Sequence, residues 1–273
     1  MKRRTSSASE IATARALEAG TCLLALSALS ACNTMASGDS EPAVPRAADV
    51  PRSMARAYFA PGKAEIDVKS GANIDGEANA LMFGAAFEGV GNTVGGGISI
   101  DVYLSDDDLI DSPVPVDSTV LGASVFPHVT FRPGTDKFRV PIRLGPEVQL
   151  HTLDFGASST TGDIDWVSVG IGLEVEPEFD FFRNDKSALS IYGGLRGGGG
   201  WVAISGPSED YTSDSRTFGA EIGMRYEISA VLISAGFLTR TTNYDESDIE
   251  NGSFVEETEF KFRGFFISAG ARW

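Results

Sequence analysis

No stretch of this chain reaches the ~20 continuous apolar residues that a membrane-crossing helix needs, although 42% of its 273 residues are hydrophobic. Cysteine is nearly absent. Cys22 and Cys32 both lie near the N-terminus, so no disulfide framework staples the rest. Basic residues are also scarce, 22 against 38 acidic ones, for a formal charge of -16. That deficit argues against nucleic acid, whose phosphates select basic surfaces. A phosphate loop is missing too: the run Gly197 to Gly200 has no helix signal or Lys-Ser/Thr pair after it. No cofactor or metal motif is present.

What is there begins with an export signal. Lys2-Arg3-Arg4 opens a basic region and Thr21 to Ala31 is a short apolar core, the pattern of a secretory signal rather than a span. The segment Leu29-Ser30-Ala31-Cys32 resembles a bacterial lipobox. The resemblance implies cleavage after residue 31, acylation of Cys32 as the new N-terminus, and transfer to the outer membrane with Asn33 next. An ordinary cleaved signal with a chance cysteine is the alternative. Residues 32–62, rich in Ser, Ala, Pro and Gly, read as a flexible periplasmic tether in which 55–59 could form one helical turn.

From residue 63 to 273 the hydrophobic period is two, as in strands with one apolar face. Phe218, Ala220, Ile222, Met224, Tyr226 and Ile228 interleave with Thr217, Gly219, Glu221, Gly223, Arg225 and Glu227. Val167 to Val175 alternate with Ser168, Gly170, Gly172, Glu174 and Glu176 in the same way. A soluble sandwich also alternates, yet three features favour a membrane barrel. Several strands exceed the ordinary 5–6 residues. Short connections (91–94, 133–136, 184–186, Ser229) alternate with long polar ones (105–118, 156–163, 205–214, 245–257). Aromatics cluster near strand ends, with Tyr103, Trp166, Trp201 and Phe218 against Phe131, Phe181, Phe182 and Phe265, which predicts two interfacial girdles.

Phe265, Ile267, Ala269, Ala271 and Trp273 alternate to an aromatic last residue. This resembles the C-terminal assembly signal of Gram-negative outer-membrane β-barrels. The resemblance implies an antiparallel up-and-down transmembrane barrel, recognised by the barrel-assembly machinery through Phe265, Ile267 and Trp273. It also implies contact with outer-membrane lipid and lipopolysaccharide. The expected strands are 63–70, 78–90, 95–105, 119–132, 138–154, 164–182, 188–204, 214–228, 230–246 and 256–273. Eight strands is the alternative count. The even number puts both termini in the periplasm and the long loops outside.

A barrel this small is filled by its own side chains. Alternation sends Asp101, His128, Arg132, His151, Glu227 and Arg240 inward. It does the same for Arg139, Arg143, Glu147, Glu174, Glu176, Arg196, Glu221 and Arg225, the set expected to form a mixed-charge network. The leading expectation is a non-enzymatic barrel with a structural or interaction role at the cell surface and a plugged lumen. A narrow, porin-like passive channel is the second reading. The third is a rim hydrolase, with His151 as general base beside Asp154, and Asp163 and Asp165 on the next strand. Asp163-Ile164-Asp165-Trp166 resembles the aspartate-tryptophan element of ten-stranded outer-membrane proteases, whose other motifs find no match. The acidic loops around Asp106–Asp111 and Asp245–Glu259 read as solvated, with hard divalent cations as possible partners.

Overall fold

The computed structural model describes residues 53–69, 74–90, 94–106, 118–135, 137–155, 163–184, 186–205, 210–245 and 257–272. Every regular element among them is a strand. The twelve segments are β1 (Met54–Val68), β2 (Ile74–Val90), β3 (Val94–Ser105), β4 (Thr119–Phe131), β5 (Phe138–Arg139) and β6 (Ile142–Asp154). They continue with β7 (Ile164–Val175), β8 (Glu178–Arg183), β9 (Ser187–Ser205), β10 (Asp210–Ile228), β11 (Val231–Tyr244) and β12 (Thr258–Arg272).

β5–β6 and β7–β8 are each one barrel strand interrupted before a proline. Pro141 and Pro177 have no N–H to give to the ladder, but their carbonyls still accept from Glu176 (2.9 Å) and Gly193 (3.0 Å), so the wall stays joined. The sheet therefore has ten antiparallel strands, and it closes on itself through β9–β10 and β12–β1.

The closure fixes the geometry. Register partners lead round the wall from Arg272 through Met54, Glu88, Gly97 and His128, then, in the register set by Val129 and Leu144, through Gly145 and Gly172. The path continues through Gly198, Thr217 and Thr242 and returns to Phe260, twelve residues from its start. Such a stagger tilts the strands by about 40°. Side chains from well-separated strands thereby share one level inside.

The local sequence supports this closure. At Ser229, φ is 54°, the left-handed value that lets a two-residue turn join β10 to β11. Gly84 and Gly122 leave room for tyrosine rings of the neighbouring strands. A Cβ at either would sit inside Tyr58 or Tyr103.

Outward positions form an apolar belt: Phe83, Val129, Leu144, Ile171, Leu195, Ile222, Phe237 and Ile267 are all exposed, and Trp201 is 75% exposed. A continuous apolar surface of this extent is stable only when lipid covers it.

Three expectations change. The first strand begins at Met54 rather than residue 63, so 55–59 is strand and not a helical turn. Its full-length pairing with both β2 and β12 overrides a weak local pattern. Tyr103 and Trp166 belong to no girdle, because they point inward and are buried. Phe265 lies not at the short-turn end but at the loop-side border of the belt, since Arg263 is the next outward residue. Cys32, Trp273 and most of the acidic loop residues lie outside the described residues.

Candidate functional site: the barrel lumen

The interior has two zones. At the short-turn end it is charged. Arg143 reaches Glu88 (3.2 Å), Glu174 (2.5 Å) and Glu176 (2.9 Å), and Arg225 reaches Glu176 and Glu178 (both 3.0 Å). Arg139 joins Glu178 (3.0 Å) to Asp180 (2.7 Å), which also holds Arg183 at 2.6 Å. At the other end of this chain Arg132 holds Glu88 at 2.6 Å. The result is an alternating line from Arg132 through Glu88, Arg143, Glu176, Arg225, Glu178, Arg139 and Asp180 to Arg183.

Higher up the pairing loosens. Arg196 meets Glu147 at 2.8 Å but Asp101 only at 3.9 Å, while Arg240 stands 3.9 Å from Asp101 and 3.7 Å from Glu221. Arg56 lies 3.9 Å from Glu221. Hydroxyls complete the set: Tyr58 donates to Asp101 (2.5 Å) and Tyr192 to Glu221 (2.8 Å). Two rings support cations, Phe126 under Arg196 and Tyr192 under Arg225, each with the guanidinium 4.3 Å from the centroid.

Every cation in these pairs is arginine. A guanidinium keeps its charge when buried and can serve several carboxylates from one plane, which an ammonium does less well. Nine arginines (56, 132, 139, 143, 183, 196, 225, 240 and 272) meet nine carboxylates (88, 101, 147, 174, 176, 178, 180, 221 and 227). This set is balanced, so the chain's excess negative charge lies elsewhere. The eight residues singled out from the sequence all fall within it. Glu88, Glu178, Asp180, Arg56 and Arg272 were missed, although each occupies the inward parity of its strand, and so was Arg183, which follows the irregularity between Asp180 and Phe182.

At the loop end the lumen is apolar and aromatic. His151 stacks on Phe260 (ring centroids 4.4 Å apart), Trp166 meets Phe260 edge-on (4.9 Å), and Tyr103 packs on Phe262 (5.6 Å). Ile66, Val120, Leu153 and Ile204 close the remaining space and are fully or almost fully buried. A cavity of about 40 Å³, lined by Gln149, His151, Arg196, Arg240 and Phe260 among others, separates the two zones. It has room for a few waters.

This layer overturns part of the sequence reading. The plug is mixed-charge in one half only. A phase change in β12 signals the rest: apolar residues face in at Phe260 and Phe262, then out at Phe265 and Ile267.

The hydrolase geometry does not form. His151 faces the lumen, where its Nδ1 lies 2.8 Å from the Tyr244 hydroxyl. Asp154 on the same strand and Asp165 on the neighbouring β7 occupy outward positions. The wall separates the imidazole from those carboxylates. Asp165 instead accepts from Thr152 at 2.7 Å. Burial, then the neighbouring Asp154 and Asp165, raise the Asp163 carboxyl above its ordinary pKa. Among the described residues no group of His, Cys, Asp and Glu could hold a metal ion.

No family model and no curated protein matches this sequence. Solved structures are similar in fold. The outer membrane protease OmpT of Escherichia coli aligns with a TM-score of 0.51 at 10% identity, over 87% of this chain and 99% of that one. OprG of Pseudomonas aeruginosa aligns at 0.38 and 13% identity (82% and 97% covered). The β domain of the Bordetella autotransporter BrkA aligns at 0.39 and 13% (82% and 99%). These neighbours are outer-membrane barrels of different roles, and at such identities the likeness is one of fold.

Proposed function

We propose that this chain is a small outer-membrane barrel that neither conducts solutes nor catalyses hydrolysis, and that it acts by displaying its acidic loops at the cell surface. The observation that carries the reading is the filled lumen. A balanced ion-paired zone and an aromatic zone lie in series, and among the described residues the cavities at their border and within the charged zone are small, about 40 and 20 Å³. A passive channel needs a continuous wet path, and the packed rings at the loop end interrupt it. A rim hydrolase needs an imidazole beside a carboxylate, and His151 has a tyrosine hydroxyl instead.

The exposed apolar belt supports insertion into lipid. The short turns at one end and the long loops at the other support an orientation with both termini in the periplasm. The full-length protein, refolded into planar bilayers, is expected to give no stable conductance steps. Steps that recur with a fixed unit size would replace this reading with the channel. Hydrolysis of peptide or ester substrates that disappears in His151→Ala would replace it with the enzyme.

A further inference from the structure

At the loop end neighbouring strands stop at different heights. β1 and β2 stay paired as far as Val68 and Ile74, and β12 follows β1 to Thr258. β3 leaves β2 earlier, its last pair being Ser105 with Ala80. Asp106 adds one bond, from its N–H to the Asn79 carbonyl (2.7 Å). Beyond that bond, among the described residues, Ile74 to Ala78 of β2 have a partner strand on the β1 side only. In an antiparallel ladder the N–H and C=O groups of every second residue point to the same side. The side that Asn79 gives to β3 is therefore also the side of Glu77 and Asp75, whose main-chain groups form an open edge.

This edge is braced from within and acidic outside. On the lumen side Ile66 and Val68 of β1 and Ala80 of β2 are buried in the aromatic zone. On the outer side three acids stand directly opposite one another across β12, β1 and β2: Glu259, Asp67 and Asp75. Like charges in such positions oppose strand pairing. Among the described residues no ion pair reaches any of the three. Lys69 is held by Glu257 (2.6 Å), Lys63 by Glu77, and Arg263 by Glu65 and Glu77 (both 2.7 Å). Asp67 and Asp75 are exposed.

We infer that the Asp75–Glu77 edge takes up an extended segment of a partner protein as an added antiparallel strand. The segment carries Lys or Arg at alternate positions, facing the acidic row, with apolar residues between them facing inward beside Gly76 and Ala78. The open N–H and C=O groups supply the main-chain bonds of such an addition, and the cations offset the repulsion along the row. A partner that is cationic but not extended has no use for the edge, and an acidic strand would add a fourth like charge. The inference rests on the reading of a surface barrel that acts through its acidic loop end, and it adds the class of partner.

The test uses the full-length protein refolded into phosphatidylcholine vesicles and the fluorescence anisotropy of a labelled peptide. The probe is Lys-Val-Lys-Val-Lys-Val-Lys with blocked ends, beside an isomer in which all lysines precede the valines. The wild type is expected to bind the alternating peptide more tightly than the isomer of equal charge. In the added strand the lysine N–H groups face β2 and the valine N–H groups face away. Methylating the lysine backbone nitrogens should therefore weaken binding about fivefold per methyl group, whereas methylating the valine nitrogens should spare it. Asp75→Asn should weaken binding about threefold. Glu77→Pro, which removes an N–H from the open edge and none from the β1 ladder, should weaken it more than Glu77→Gln.

Equal binding of the alternating peptide and its isomer overturns the inference, because charge alone would then account for it. Equal binding of the two methylated peptides, or of Glu77→Pro and Glu77→Gln, overturns the edge as the site. If Glu77→Pro does not fold, the pair of methylated peptides decides the matter on the wild type. Planar-bilayer recording of the same preparation separates the two readings. No peptide binding with silent bilayers removes the partner and leaves the surface-barrel reading, whereas conductance steps remove that reading itself.

Discussion

Phe262 and Arg263 are consecutive in β12 and lie on opposite sides of the wall, the phenylalanine fully buried in the lumen and the arginine half exposed outside. A few residues further along the same strand the relation is reversed: Ile267 is exposed on the outside and Ser268 is buried within. In β12 the exterior thus turns from charged at Arg263 to apolar at Ile267, while the lumen side turns from apolar at Phe262 and Phe266 to polar at Ser268. Where lipid covers the exterior, the lumen can hold ion pairs. Where water covers it, only an apolar interior drives the strands together.

The exchange makes facing measurable. Ile222 is exposed in the belt, and Glu221 beside it points into the lumen. Ile222→Arg is expected to cost roughly 2–4 kcal/mol of folding free energy in vesicles, because a charge at mid-belt finds no water. Glu221→Gln should be milder, since its ion pairs are loose at 3.7 and 3.9 Å. Urea titration of both variants measures this, and the opposite ranking would mean an inverted strand.

Arg143 is the cation shared by Glu88, Glu174 and Glu176. Arg143→Met should cost about 3–5 kcal/mol, because Glu174 loses its ion pair and Glu88 and Glu176 are left with one cation each, Arg132 and Arg225. Lys261→Gln, which removes a partly exposed pair, should cost at most about 1 kcal/mol. Similar urea midpoints for the two variants would show that the interior network adds nothing.

The aromatic zone should behave as a soluble-protein core. Phe260 touches His151, Trp166 and Tyr244. Phe260→Ala should lower stability by about 3–5 kcal/mol while the ion-paired zone keeps the lumen closed. Urea unfolding and single-channel recording on one preparation check both halves. Unchanged stability would mean that the rings do not pack.

Asp163 supplies the pH dependence. Its folded pKa is raised, so the folded state holds the proton more tightly than the unfolded one, and stability improves as pH falls through that pKa. Asp163→Asn removes the like-charge crowding with Asp154 and Asp165. It should raise the urea midpoint slightly at pH 7, and the gain should disappear on acidification through the carboxylate range. A gain that persists at low pH, or a loss at pH 7, would contradict the assignment. Salt should shrink the gain, because Asp163 is exposed.

The sequence by itself determined the all-β barrel class, most strand positions to within a few residues, and the side of the wall taken by every charge singled out as inward. A strand's facing has a period of two and is written locally, so Glu221 and Ile222 can be assigned from their neighbours alone. Three things were decided only by the closed barrel. The early start of β1 at Met54 depends on two partner strands more than on its own residues. The inward turn of Tyr103 and Trp166 depends on where along the height the wall exchanges its sides, which alternation does not encode. The pairing of Arg143 with Glu88 and of Arg225 with Glu178 joins residues on strands that are not neighbours. Their meeting follows from the stagger of the closed sheet, which brings distant positions to one level in the lumen. That stagger is a property of all ten strands together and of no single segment.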